Sequence, residues 1–192
     1  MDIEKVFSQM HPIDALQSLS EMISTLPGAT TTFENTIPLS PTAKFICASK
    51  ATVQPFAVFD GPIYLEENAF IGPYCFLRGP LYIGKNVLVG PYSELKNSII
   101  MENSKVTHRN IIPDCVICKN VWLAGGVMVT NLRLDKKPVK FTWGNETKQA
   151  PCFGLYAEEN STLGVGTVVM PATYLTANTT IIGPTTIKGL VK

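Results

Sequence analysis

The chain has 192 residues and a formal net charge of +1, which excludes the broad basic surface that nucleic acid or an anionic membrane would require. With 45% hydrophobic and 16% charged residues it can fill a sizeable core, so a soluble globular chain of one domain plus an appendage is predicted.

The N-terminal stretch MDIEKVFSQMHPIDALQ has no long apolar run, so neither a signal peptide nor a membrane span is predicted. Residues 1–27 read as helical: after Pro12 the apolar residues Leu16, Leu19, Met22, Ile23 and Leu26 keep a helical spacing. Pro12 suits a first helical turn, Asp14 suits the positive end of the helix dipole, and Pro27-Gly28 ends the element. Residues 28–40 read as a connector, which makes 1–40 an N-terminal helix and linker.

From about Pro41 the pattern changes. Apolar residues recur every six positions: Cys47, Val53, Phe59, Leu65, Ile71, Leu77, Ile83, Val89 and Leu95. Four residues after the later leads stand Ala69, Cys75, Leu81, Val87, Ser93 and Ile99, which are expected to point inward beside them. A period of six fits neither a helix nor plain strand alternation. It marks a parallel β-helix of hexapeptide repeats, in which three short strands and three corners make a triangular turn of roughly 18 residues. One hexad cannot bury its own face, so the repeat has to be long. The phase slips one residue early at Ile100, Val106 and Ile112, and again at Ile117, Leu123 and Val129.

Residues 132–151 break the pattern. Within them PVKFTWGNETK alternates around Gly144-Asn145, which predicts a β-hairpin arm leaving the prism. The repeat resumes at Ala157, Leu163, Val169, Leu175, Ile181 and Ile187, followed at the fourth positions by Ser161, Thr167, Thr173, Thr179 and Thr185. The domain reading is therefore a β-helix over 41–192 with an arm at 132–151.

Cys47 and Cys75 fall on inward positions. Cys115 and Cys118 form a CxxC without a second ligand pair, which is read as structural. Five cysteines are an odd count, and a reducing cytoplasm is the simplest compartment.

Counting hexads assigns the polar residues to faces. Let face A be led by Leu77, Leu95, Ile112 and Val129. Arg78 and Lys96 each follow a lead residue and should stack in one outward column. Asn131 lies on the same face, two residues after its lead. His108 follows Val106 by two on the preceding face and should also point outward. A smooth prism wall has no cleft, so a site there needs a second wall from a partner subunit. The bland reading of each residue is a solvated surface side chain.

At these residues the sequence resembles a known family. The run VGPYSELKNSII…SKVTHRNIIPDC…NVWLAGGVMVTNLRLDKKPVK is similar to the acetyltransferase domain of bifunctional N-acetylglucosamine-1-phosphate uridyltransferase/glucosamine-1-phosphate acetyltransferases. Its NLRLD segment is most like the archaeal-type sugar-phosphate nucleotidyltransferases that carry this domain. The resemblance covers residues 77–171, and HPIDAL from His11 resembles the linker before the domain. No nucleotidyltransferase half is seen, so uridyl transfer is not expected.

The resemblance implies an all-β, left-handed parallel β-helix assembled as a homotrimer, an exception to the right-handed crossover rule. It implies His108 as the general base for amine attack on acetyl-CoA, the co-substrate. Arg78 and Lys96 would hold a sugar phosphate, Asn131 would contact the sugar, and Lys137 would be a nearby cation. Gly125 and Gly164 would adjoin coenzyme A. The sequence departs from the family at Ile111, in place of a tyrosine, at Trp122, in place of an asparagine, and at Gly125 and Pro113; the family's basic tail residue would lie beyond Lys192. Three readings follow: a coenzyme A-dependent acyltransferase acting on an amino-sugar phosphate, a non-catalytic β-helix scaffold descended from such an enzyme, and a metal-dependent hydrolase on the same fold. With only His11 and His108 present, a three-histidine metal site is disfavoured, and no resident metal is predicted.

Overall fold

The structure, a computed structural model, describes residues 3–192; residues 1 and 2 of the predicted helical stretch lie outside it. The six-residue period becomes a left-handed parallel β-helix. Face A stacks Phe59, Leu77, Leu95, Ile112, Val129, Val169 and Ile187, one per turn. Face B stacks Cys47, Leu65, Ile83, Ile100, Ile117, Ala157 and Leu175. Face C stacks Val53, Ile71, Val89, Val106, Leu123, Leu163 and Ile181 as a separate seven-stranded sheet. Strands Phe76–Ile83 and Glu94–Ile100 run round the corner from A to B, which joins those two faces into one sheet. The lead residues from Leu65 to Leu123 are fully buried and form the continuous core of the prism.

Both phase slips occur at the A–B corner. Six residues separate Leu77 from Ile83, but five separate Leu95 from Ile100 and Ile112 from Ile117. The register of the fourth turn shifts between Lys96 and Ser98. Asn97 and Asp114 each turn the shortened corner alone, with φ of 42° and 53°, a region that short polar side chains tolerate better than others. The inward position expected for Ile99 is consequently filled by Ser98, which pairs with Leu81. Ser98 accepts a hydrogen bond from Cys115 N–H at 3.0 Å. Ile99 instead faces out, into a second apolar cluster.

The other corners have their own chemistry. At B–C an asparagine stands three residues after each face B lead from Leu65 onward: Asn68, Asn86, Asn103, Asn120, Asn160 and Asn178, all with positive φ. Their side-chain amides link in a ladder, for example Asn86 to Asn103 at 3.0 Å and Asn120 to Asn160 at 3.1 Å. At C–A the equivalent places hold Phe56, Tyr74 and Tyr92, exposed and stacked at 5.2 Å. In the last turns Ser161, Thr167 and Thr173 are buried, and each donates its hydroxyl to the carbonyl three residues back, at 2.7–2.8 Å.

Two helices, not one, precede the prism: α1 (Ile3–Gln9) and α2 (Pro12–Thr25). The break follows from Pro12, which drives the residue before it out of the helical region; His11 sits at φ −57°, ψ 130°. The 28–40 stretch is more than a connector. Ala29–Thr31 pairs antiparallel with the strand of Cys47, and Ile37–Pro38 opens face A beneath Val58 and Phe59. The arm is a hairpin of Val139–Trp143 and Glu146–Ala150. Helices and arm both lie on face B, where Phe7, Leu19, Ile23, Phe141 and Phe153 bury Tyr64, Tyr82, Ile99 and Tyr156 in the second cluster. Lys148 of the arm is ion-paired with Asp14 of α2. His11 is buried edge-on to Phe141 and Trp143, and its Nδ1 accepts from the Ile13 N–H at 3.3 Å, capping α2.

Two measurements test this packing. Ile83→Ala removes a fully buried side chain from mid-prism and should lower stability by about 2–5 kcal/mol in chemical denaturation. Lys85→Ala, an exposed residue paired with Glu67, should leave the denaturation midpoint close to wild type; equal losses at both positions would contradict the facing. Burial holds the His11 imidazole below its ordinary value. A protonated Nδ1 could not accept from Ile13. The depressed group adds stability above its unfolded value near 6.5 that is lost as pH falls below it. Wild type should therefore lose stability relative to His11→Asn, which keeps a cap without titrating, between about pH 7.5 and 5; identical pH slopes would refute this role for His11.

Candidate functional site

Side chains flanking each lead residue on face A point outward in two columns. One holds Phe76, Glu94, Ile111 and Met128; the other holds Arg78, Lys96 and Pro113. Arg78 and Lys96 are thus stacked one turn apart. Beside them the first residues of the arm rise from the A–B corner. Together they form an open groove of about 490 Å³ lined by Arg78, Glu94, Lys96, Ile111, Met128 and Asn131, among others.

The two cations are not bare. Arg78 is ion-paired with Glu94 and lies over the Phe76 ring, 5.3 Å from its centroid. Lys96 Nζ is 3.3 Å from Asp114 Oδ2. Asp114 is 2% exposed, and its carboxylate gathers the corner: Asn97 donates to Oδ1 at 2.8 Å and Asn131 donates to Oδ2. Its backbone carbonyl accepts from Gly154 N–H at 2.9 Å, where the arm rejoins the prism. Asp114 therefore holds both ends of the arm and one wall of the groove. Within the chain, the groove's positive and negative charges balance.

The structure brings Arg78, Lys96 and Asn131 together, and leaves the other four candidates, His108, Gly125, Gly164 and Lys137, outside the groove. His108 is exposed on the C–A corner, beside Gly125. A side chain at Gly125 would meet nothing nearer than the His108 carbonyl at 3.7 Å, so the space over it is open to a ligand. Gly164 differs. A Cβ there would lie 2.7 Å from Gly183 N, so packing of the next turn already accounts for that glycine. Lys137 is exposed in the loop at the root of the arm. Ile111 lies in the groove, whereas Trp122 is half-exposed on face C between Lys105 and Thr162.

Cys115 and Cys118 cannot chelate one ion between them. Cys115 packs inside the prism and Cys118 in the outer cluster, on opposite sides of the wall. Burial pushes the Cys118 thiol up to about 12, which removes it as a nucleophile. Among the described residues no group of three or more His, Cys, Asp or Glu could hold a metal ion, and no helix is long and apolar enough to cross a membrane.

Comparison with known proteins fits this architecture. The GMPPB C-terminal domain family matches residues 59–182, most of the prism and the whole groove. The chain belongs to this family. A bifunctional protein GlmU of Methanococcus aeolicus is 36% identical over 89 residues, covering 46% of this chain and 22% of that protein. A bifunctional sugar-1-phosphate nucleotidylyltransferase/acetyltransferase of Sulfurisphaera tokodaii is 45% identical over 47 residues, 24% of this chain and 12% of its own length. An uncharacterized acetyltransferase of Escherichia coli, YaiX, is 31% identical over 93 residues, 47% and 40% respectively. The matched part of this GMPPB C-terminal domain protein thus spans about a fifth of the GlmU length, and well under half of YaiX.

Counting hexads missed Glu94 and Asp114, the partners that decide the groove's electrostatics. Asp114 also yields a test of how the arm is held. Asp114→Ala leaves the Asn97 and Asn131 amides without their acceptor. Hydrogen exchange at residues 130–133 and 151–154 should accelerate at least about tenfold, while exchange in face C stays at wild-type rates. Unchanged exchange at both roots of the arm would show that Asp114 does not hold it.

Proposed function

We propose that the chain is an acetyl-CoA-dependent acetyltransferase that N-acetylates an amino-sugar phosphate. The convergence of Arg78, Lys96 and Asn131 on one groove carries this reading, and the acetyltransferase names of its relatives support it. Guanidinium and ammonium groups suit phosphate oxygens, though a bound phosphate must share Arg78 with Glu94 and Lys96 with Asp114. In the transfer the acceptor nitrogen attacks the thioester carbonyl, a C–N bond forms, the C–S bond breaks and coenzyme A leaves as a thiol. His108 accepts the proton that the nitrogen loses, and that proton ends on the departing sulfur. An imidazole suits this, since its ordinary pKa lies near neutrality.

The groove is open and His108 lies outside it, so the reading requires a second wall. The helices and arm occupy face B, which leaves faces A and C for contact. Phe56, Tyr74, Tyr92 and Met128 are exposed there. We infer a homotrimer in which His108 of one subunit meets the groove of its neighbour. One observation favours the scaffold alternative: both cations are already neutralised within the chain.

Thiol release from acetyl-CoA with glucosamine-1-phosphate and a panel of amino sugars tests the proposal. His108→Ala should lower kcat about 100- to 10,000-fold with the fold intact. Arg78→Ala should chiefly raise KM, because phosphate is held in ground and transition states alike. Acetyl-CoA should raise the melting temperature by mass action, and the active species should sediment as a trimer. A wild type that neither releases thiol nor binds acetyl-CoA would leave the scaffold reading standing.

A further inference from the structure

The groove on face A changes character along the stacking axis. Its lower two turns present Arg78, Glu94 and Lys96; the next two present Ile111, Pro113 and Met128 in the same two columns. Polarity therefore switches within one strand spacing, about 4.8 Å. The polar side chains beside the apolar half already spend donors within the chain. Thr130 gives its hydroxyl to the Val169 carbonyl at 2.9 Å, and Asn131 gives its amide to Asp114. Leu132, at the root of the arm, extends the apolar side. A sugar hydroxyl pressed against Ile111 and Met128 would lose water and gain no hydrogen bond from either side chain, whereas a C–H group would lose nothing.

We propose that this groove selects a deoxy amino-sugar phosphate: an acceptor whose phosphate lies over Arg78 and Lys96 and whose opposite edge, lacking a hydroxyl, lies against Ile111 and Met128. This rests on the acetyl-transfer reading above and goes beyond it by naming the acceptor class. The volume agrees with it. About 490 Å³ is ample for one hexose phosphate. The phosphate competes with Glu94 for Arg78 and with Asp114 for Lys96, as for any phosphorylated acceptor.

The test compares 6-deoxyglucosamine 1-phosphate with glucosamine-1-phosphate in the thiol-release assay, using the full chain. The deoxy compound should be favoured about 10- to 100-fold in kcat/KM, the range in which an apolar pocket discriminates against an added hydroxyl. Met128→Gln and Ile111→Tyr should each move the ratio towards the hydroxylated compound by about tenfold or more. Met128 is an exposed side chain, so its variant carries the test alone if Ile111→Tyr does not fold. Equal or reversed preference in the wild type, or a ratio that neither variant moves, overturns the inference and leaves acetyl transfer standing. If the wild type turns over neither compound, acetyl transfer to this class of acceptor fails. Calorimetric titration of the two compounds then decides this inference separately: tighter binding of the deoxy compound, weakened by Met128→Gln, supports it, and equal or absent binding overturns it.

Discussion

Every turn of the prism must bring its backbone back to a point one strand spacing above its start, because the wall N–H groups bond to carbonyls of the neighbouring turns. On face A these bonds run from Val58 to Cys75, Phe76 to Ser93, Glu94 to Asn110, Ile111 to Val127 and Met128 to Thr167, all between 2.8 and 3.0 Å. A strand cannot gain or lose a residue without turning its inward side chains outward. Length differences are therefore absorbed at corners, where a single residue in the left-handed region can reverse the chain. The B–C corner keeps asparagine in that role in six turns. The A–B corner is where this chain varies: Gly79-Pro80 in one turn, Asn97 or Asp114 alone in the next two, and the whole arm in the turn after.

That variation builds the groove. Shortening the corner at Asn97 and again at Asp114 places the Asp114 carboxylate within reach of Lys96 below and Asn131 above. A buried carboxylate is tolerable only if it is paired and hydrogen-bonded, and Asp114 has one cation and two amides. The same contacts fix the first residue of the arm, so its departure point and the lysine beside it are set by one side chain. Arg78 is balanced more loosely. Its partner Glu94 is part-exposed, so solvent weakens that pair and a ligand phosphate could displace the carboxylate more easily there than at Lys96.

The period of six was enough to read the prism, since lead residues from Leu65 to Leu123 are buried as their spacing requires. The stacking of Arg78 on Lys96 was legible for the same reason: 18 residues is one full turn. What counting could not supply was the place of each slip within its turn. Ile99 and Ser98 differ by one position, and only the corner geometry at Asn97 decides which points inward. The acidic partners had a signal that lay in the numbers: Glu94 follows Arg78 by 16 residues and Asp114 follows Lys96 by 18, so each is adjacent in space though distant in sequence. The asparagines three residues after the face B leads from Leu65 onward were a repeat of the same kind. The helix break at His11 was foreshadowed by Pro12, whose effect on the preceding residue is as regular as its fit to a first helical turn. His108 shows the limit of face counting. Outward was legible, but whether an outward corner residue turns towards face A or away from it depends on the corner's backbone.

The cover on face B carries two buried ionisable groups whose linkages oppose one another. Glu4 of α1 is 5% exposed; its Oε1 accepts from Glu102 N–H at 2.9 Å and its Oε2 lies 3.6 Å from Lys119. Burial outweighs these contacts and pushes its carboxyl up to about 7. A raised acid binds a proton more readily in the folded state, so its contribution is present at low pH and fades as pH rises from the ordinary carboxylate range through about 7. His11 does the reverse: held below its ordinary value, it contributes above about 6.5 and fades as pH falls. Glu4 sits where α1 meets Tyr82 and Gly84, and His11 where α2 meets the arm. Acidification thus strengthens the first contact while weakening the second. As pH falls from about 7 to 5 the two contributions therefore offset each other in part, and the balance of the cover's docking shifts from the arm towards α1.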